Sequence, residues 1–406
     1  MKEINHIPKH WQVKKLGEVC QIIMGQSPPS YTYNFEKVGL PFFQGKTEFT
    51  ELYPVVRKWC SKPNKISEPD DILISVRAPV GPTNISNVQC CIGRGLAAIR
   101  YANNYKFVFY YLRSVEKRLE KLATGTTFSA ISGETIRNLD FPYPPFPEQQ
   151  AIVAKIEDLF SELDNGIAQL KTAQQQLKVY RQSLLKWSFE GKLTNKNVKD
   201  GELPKGWEVA YLKDVCEIKR GKSKHRPRNE PSLFGGKYPF IQTGDIREVN
   251  GGYITKYSQT YSEMGLQQSK LWPKGTLCIT IAANIGETAI LSFPACFPDS
   301  VVGLLCNQGK LLNKYTNYFF ISHKSKLEKL APATAQKNIN VDILEKVNIP
   351  LPKLDEQQLI VDELESKLTV CDKIEETISQ SLQQAATLRQ SILKKAFEGK
   401  LVKMKQ

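Results

Sequence analysis

The segment RQSLLKWSFEGKL at Arg181–Leu193 returns as RQSILKKAFEGKL at Arg389–Leu401, 208 residues later, with ten of thirteen positions identical. A chain that repeats itself folds as copies of one unit, and this constrains its architecture more than any composition figure. The same offset carries EQQAIVAKIEDLF from Glu148 onto EQQLIVDELESKL from Glu356. It also carries LEKLATGTTFSAI from Leu119 onto LEKLAPATAQKNI from Leu327. Further upstream the offset drifts, so loop lengths differ. There DILISVRAPVG from Asp71 matches TLCITIAANIG from Thr276, LPFFQG matches YPFIQT, and IPKHWQVKKLGEVC matches LPKGWEVAYLKDVC from Leu203. Two copies are too few for a solenoid, which needs at least about three repeats. A pseudo-dimer within one chain fits better.

The end of each copy has a helical signature. Apolar residues step by four and three through Ile156, Phe160, Leu163, Ile167, Leu170, Leu177 and Leu184. The second copy gives Leu364, Leu368, Cys371, Ile378, Leu382, Ala385, Ile392 and Ala396. This spacing is a coiled-coil seam sustained over several heptads. Asp355 reads as the N-cap of the second helix, with Gln358 three residues on completing a capping box. Gly191 and Gly399 read as the C-terminal stops. A helix of some 43 residues is roughly 65 Å long. Neither stripe is wide enough for burial all round, so the helices are expected to pair, antiparallel, each leaving one globular unit toward the other. Arg181 and Arg389 fall on the seam in both copies, where a charge either fixes register or snorkels to solvent.

Between the helices, short β-type runs alternate with Gly- and Pro-marked turns, and each copy has one clear internal helix. The expected fold class is α+β: two globular mixed α/β units related by a pseudo-two-fold. The expected boundaries are 1–146 for the first unit and 147–194 for its helix, then 195–354 and 355–406 for the second pair.

The formal charge of +15 is unevenly placed. Residues 1–145 carry 19 basic and 12 acidic side chains, and residues 195–353 carry 23 and 14, so the whole excess lies in the globular units. Two basic modules joined by neutral helices suit two contacts with one polyanion. The start MKEINHIPKHW has no apolar leader, and no run approaches the length of a membrane span. Nine cysteines without a CxxC motif read as reduced core cysteines of a cytoplasmic protein, and the four histidines never sit at metal-ligand spacing. No metal and no cofactor are expected.

The matching loops differ in polar chemistry, as two readers of different sequences would. In the second copy KRGKSKHRPR offers Arg220, Lys222, Lys224, Arg226 and Arg228, suited to phosphates and, for arginine, to guanine edges. Its first-copy counterpart, MGQSPPSYTY, is uncharged. FFQGKTEF offers Gln44 and Lys46, against Gln242 and Arg247 in FIQTGDIRE. SVRAPVG offers Arg77, against Asn284 in TIAANIG. GTTFSAI offers Thr126, Thr127 and Ser129, against Gln336, Lys337 and Asn338 in ATAQKNI. These are the candidate DNA-contacting residues. A catalytic reading finds little support. YPPF at Tyr143–Phe146 approaches the Pro-Pro motif of adenine amino-methyltransferases, but Tyr143 is the wrong residue to accept an amino proton. No Gly-rich loop after a strand offers a nucleotide site, and RGKS at Arg220 lacks the upstream glycine of a phosphate-binding loop.

The helix starts PFPEQQAIVAKI and PKLDEQQLIVDEL, the helix ends SFEGKL and AFEGKL, and the openings at Trp11 and Trp207 resemble the specificity subunits of Type I restriction-modification enzymes. That resemblance covers nearly the whole chain. It implies two target-recognition domains that each read half of a bipartite site in double-stranded DNA. It also implies two helices that space them and dock two methyltransferase (modification) subunits, with restriction subunits added outside. A specificity subunit of a multisubunit Type II enzyme, or a coiled-coil scaffold with protein-binding ends, are the alternatives left open by the residues.

Overall fold

The computed structural model describes residues 7–123, 129–225, 227–282, 284–330 and 338–402. It divides into two compact units, residues 1–171 with 379–406, and residues 172–378. The repeat therefore does not partition as head and tail: each unit takes the start of one long helix and the end of the other.

In unit one the strands that matter are β1 (Gln12–Lys15), β2 (Gln21–Met24), β3 (Ile72–Ser75), β4 (Thr83–Ile85), β5 (Leu96–Arg100) and β6 (Asp140–Tyr143). β1 and β6 form an antiparallel ribbon with Gln12 opposite Tyr143 and Lys15 opposite Asp140. The central sheet runs β2-β5-β3-β4. The runs ILIS and LAAI are apolar without alternation because both faces are covered. On one side Ile72, Ile74, Ala97 and Ile99 share a core with Phe107, Val108 and Tyr111 of the helix Tyr105–Ser114. On the other, Leu73, Leu96 and Ala98 pack with Phe43 and Ile92. The first core is finished by Ile152, Ile156 and Phe160 from the first long helix, Phe146–Phe189, and by Leu393, Ala396 and Phe397 from the second, Leu354–Phe397.

Unit two repeats the plan with β7 (Glu208–Tyr211), β8 (Cys216–Arg220), β9 (Leu277–Thr280), β10 (Thr288–Leu291), β11 (Val301–Cys306) and β12 (Asn348–Leu351). The ribbon β7–β12 pairs Glu208 with Leu351 and Tyr211 with Asn348, the register of β1–β6 again. Its sheet runs β8-β11-β9-β10 and ends on the short strand Tyr253–Ile254. Here the core is finished by Ile360 and Val361 from the start of the second long helix and by Phe189 from the end of the first.

The repeated Phe-Glu-Gly thus has one job done twice. Phe397 lies with its ring centroid 5.1 Å from Phe107 and 5.5 Å from Tyr111. Phe189 lies 5.1 Å from Tyr315 and 5.4 Å from Phe319. The glycine two residues on has φ +75° at Gly191 and +68° at Gly399, the left-handed stop expected of both. A Cβ on Gly191 would come 2.2 Å from Cγ of Pro204, and one on Gly399 2.2 Å from Cγ of Pro8. Each helix end is therefore seated against the opening residues of a copy.

Within each unit the helix pairing is antiparallel and its register is marked by charge. Arg181 donates to Asp372 at 2.6 Å and to Glu375 at 3.0 Å. Arg389 donates to Asp164, the same position 208 residues earlier, and to Glu51 at 3.1 Å. The seam arginines are tied to carboxylates of the facing helix. One expectation is corrected. The second helix starts at Leu354, so Asp355 lies inside its first turn and does not cap it. Its carboxylate still favours the positive end of the helix dipole. The anchoring is done two residues further on: Gln357 is fully buried, accepts from the Leu312 N–H at 2.9 Å and donates to the carbonyls of Lys310 and Pro352. Gln149 does likewise in the first copy, donating to the Pro144 carbonyl at 3.0 Å and accepting from the Tyr101 hydroxyl.

All nine cysteines are free thiols. Burial pushes Cys20 up to about 12 and Cys90 up to about 11, so neither is a reactive thiolate near neutral pH. No helix among the described residues is long and apolar enough to cross a membrane.

Candidate nucleic-acid interface

The antiparallel register decides which loops meet. In unit one Ala97 faces Met24, and Leu96 faces Ser75, so the ends of β2 and β3 and the start of β5 share one edge of the sheet. Backbone bonds bind the loops there: Gly25 N–H to Leu96 O at 2.9 Å, Val76 N–H to Gly95 O at 2.9 Å, Gly93 N–H to Phe43 O at 2.8 Å. The last brings in Gln44. Arg77 bridges Ala130, and Ala78 N–H donates to Ser129 O at 3.0 Å, which brings in Ser129. Gln44, Arg77 and Ser129, far apart in sequence, stand exposed on one sheet end. Lys46 is exposed nearby, on the turn Lys46–Glu48, where it also lines a cavity of about 350 Å³ with Arg113, Glu116 and Arg389. Thr126 and Thr127 lie outside the described residues.

Unit two gathers its loops by the same bonds. Arg220 faces Val302, and Thr280 faces Val301. Gly221 N–H donates to Val301 O at 2.8 Å, Ile281 N–H to Ser300 O at 3.0 Å, and Ile339 N–H to Ile281 O at 3.0 Å. Ala282 bridges Asn338 as Arg77 bridges Ala130. The approach is close enough to demand glycine. A Cβ on Gly25 would come 2.2 Å from Gly93 O, and one on Gly221 2.3 Å from Pro298 O. The basic loop after β8 thus leaves from the same sheet end that bears Asn284 and Asn338. Arg220, Lys222, Lys224, Arg228 and Asn338 are exposed and Asn284 is half-buried. Arg226, Gln336 and Lys337 lie outside the described residues.

Two candidates of unit two are engaged within the protein. Gln242 precedes the helix Thr243–Val249; its backbone N–H donates to Asp245 at 2.7 Å and its amide to Gln259 at 2.6 Å. Arg247 shares Glu287 with Lys324, each 3.5 Å from Oε1.

The basic loop is also less free than its composition suggests. Lys219 pairs with Glu217. The Arg220 Nε donates to the Asp299 carbonyl, and Arg228 Nη2 donates to Asp299 Oδ2 at 2.8 Å. Asp299 lies two residues before β11, as Arg94 lies two residues before β5. Arg94 is exposed on the sheet end of unit one, its backbone N–H held by Ser27 Oγ at 3.2 Å. Neither residue stands out in sequence. Laying CIGRGLAA over CFPDSVVG on the strand that follows is the signal that finds both.

Each unit therefore offers one scaffold, a sheet end with glycine-tight backbone, bearing a different set of polar side chains. The comparisons with known proteins agree with that plan. The putative Type I restriction enzyme MjaX specificity subunit of Methanocaldococcus jannaschii is 41% identical over 197 residues. That match spans 47% of this chain and 45% of the relative, so less than half the length of that protein is covered. The EcoKI specificity subunit of Escherichia coli K12 is 23% identical over 427 residues, spanning 97% of this chain and 90% of the relative. The crystal structure of the HsdS subunit from Thermoanaerobacter tengcongensis shares the fold, with TM-score 0.68 at 22% identity over 97% of this chain and 98% of the other. The family model of the Type I restriction modification DNA specificity domain matches twice, at residues 8–172 and 204–384, and the chain belongs to that family.

Proposed function

We propose that this chain is the DNA-recognition subunit of a Type I restriction-modification complex. It reads a bipartite duplex site, one half per globular unit, with the unread spacer set by the long helices. The observation that carries this is the repeated sheet end: backbone bonds match between copies, while the exposed side chains on them differ. Phosphate contacts position a protein on DNA but carry little sequence information, so two readers on one framework must differ in their base-facing side chains. Net positive charge on both units supplies the sequence-independent attraction.

In this reading the chain is not itself a catalyst. The chemistry belongs to two methyltransferase subunits docked on the helices, with restriction subunits outside them, in the cytoplasm where the DNA lies. The test is to express the chain with a modification subunit from the same host and to sequence the methylated bases. One two-part motif is expected. Exchanging the loops on the sheet end of unit two for those of unit one should change one half only. Methylation with no motif, or a motif altered in both halves, would overturn the reading.

A further inference from the structure

A carboxylate is an odd resident of a surface that meets phosphates, because it repels the polyanion the rest of the surface attracts. Asp299 occupies such a place. The position that bears the exposed cation Arg94 in unit one bears this anion in unit two, two residues before the equivalent strand in each. It is not left idle: its carboxylate takes Arg228 at 2.8 Å and its carbonyl takes the Nε of Arg220.

Arg228 keeps half of its side-chain surface exposed, against 31% for Asp299, so the paired side chain is still within reach of solvent. A guanidinium is a planar fork of five donors, and the bond to Asp299 engages one of its nitrogens. A mobile arginine suits any phosphate. An arginine fixed by a carboxylate suits an acceptor pair at set spacing, and the guanine major-groove edge, O6 with N7, is the pair arginine most often reads in duplex DNA. Fixing the side chain beforehand also lowers the entropy lost on binding.

We infer that Asp299 is a positioning residue for specificity, and that it holds Arg228 to read a guanine in the half-site of unit two. The inference rests on the proposed role in DNA recognition and deepens it. Unit one has no such device at the matching position, since Arg94 is itself the cation.

The full chain is tested on labelled duplexes carrying the methylated motif, each single base-pair variant of it, and an unrelated sequence. Asp299→Asn is nearly isosteric and adds one unit of positive charge. It should bind the unrelated duplex as well as the parent or better, yet lose about tenfold or more of its discrimination at one G·C pair of one half-site. Arg228→Lys, which keeps the charge and removes the fork, should lose discrimination at that same pair. If Asp299→Asn strengthens binding to every duplex alike and leaves each position as well discriminated as before, Asp299 only damps charge and the inference fails. If the two variants lose different positions, it fails as well. A parent chain with no salt-dependent binding to any duplex would bring down the DNA reading itself, a result distinct from these.

Discussion

Phe397 is a residue whose importance no local signal announces. It sits in an amphipathic helix end among lysines, yet it packs on Phe107 and Tyr111 in the core of unit one, nearly 290 positions away in sequence. Truncating a buried phenylalanine removes its packing and leaves a cavity, so Phe397→Ala is expected to cost about 3–5 kcal/mol. Chemical denaturation followed by tryptophan fluorescence measures this, and a destabilisation below about 1 kcal/mol would mean the ring is dispensable. Among the described residues at the sheet end of unit two, Lys222 and Lys224 are exposed cations. Replacing both by alanine should weaken binding to all duplexes alike and flatten the logarithmic salt slope by about two, near 0.9 for each phosphate no longer neutralised. An unchanged slope would turn the loop toward solvent. At this scale the sequence was only partly legible. It showed that Lys219–Arg228 is basic, but the partner that restrains it, Asp299, lies more than 70 residues on and is brought close only by the pairing of β8 with β11. Composition cannot report such a pairing.

Elements were far more legible than the partners of single side chains. The four-three spacing marked both long helices, and the glycines Gly191 and Gly399 marked their ends, because periodicity and positive-φ stops are local properties. The cap of the second helix lies two residues before Asp355, at Lys353, since an acidic residue gives the same signal in the first turn as at the cap. The pairing of Arg181 with Asp372 and of Arg389 with Asp164 was not predictable from spacing, which places an arginine on a seam but not the carboxylate opposite. If the helices measure the DNA spacer, inserting four residues after Thr172 should lengthen the first by about 6 Å, one to two base pairs of B-form rise. Local unwinding of the seam can absorb the stutter. Methylation sequencing is expected to return the same two half-sites at a longer spacing. An unchanged spacing would show that something other than helix length sets it.

At the scale of the molecule, the seating of Gly399 on Pro8 and of Gly191 on Pro204 means that the chain passes through two equivalent junctions, of which only one is covalent along the sequence. Joining Gln406 to Met1 puts fifteen residues between Gly399 and Pro8 inclusive of the proline, against thirteen from Lys192 to Pro204. The chain so joined and reopened between Asn195 and Asp200 should fold and direct the same methylation motif with the same spacer, because exposed polar links tolerate such breaks. A permutant that is folded by circular dichroism but directs no motif, or a different one, would refute the equivalence of the junctions.

The exchange of helix ends has a further, thermodynamic side. The core of unit one contains Leu393, Ala396 and Phe397, which continue without a break into the helix whose first turns, with Ile360 and Val361, close the core of unit two. If unit two melts, the second helix loses its start, and unit one is left holding a frayed end; the first helix transmits the reverse. Two domains joined by a slack linker would give two heat-absorption peaks, each with its own midpoint. Here the calorimetric trace should be one peak for the whole chain. Phe397→Ala should move that peak bodily to lower temperature, with no second peak left at the original midpoint. Damage to one reader would then be felt by both, so a chain with one intact half-site reader and one unfolded reader would be scarcely populated.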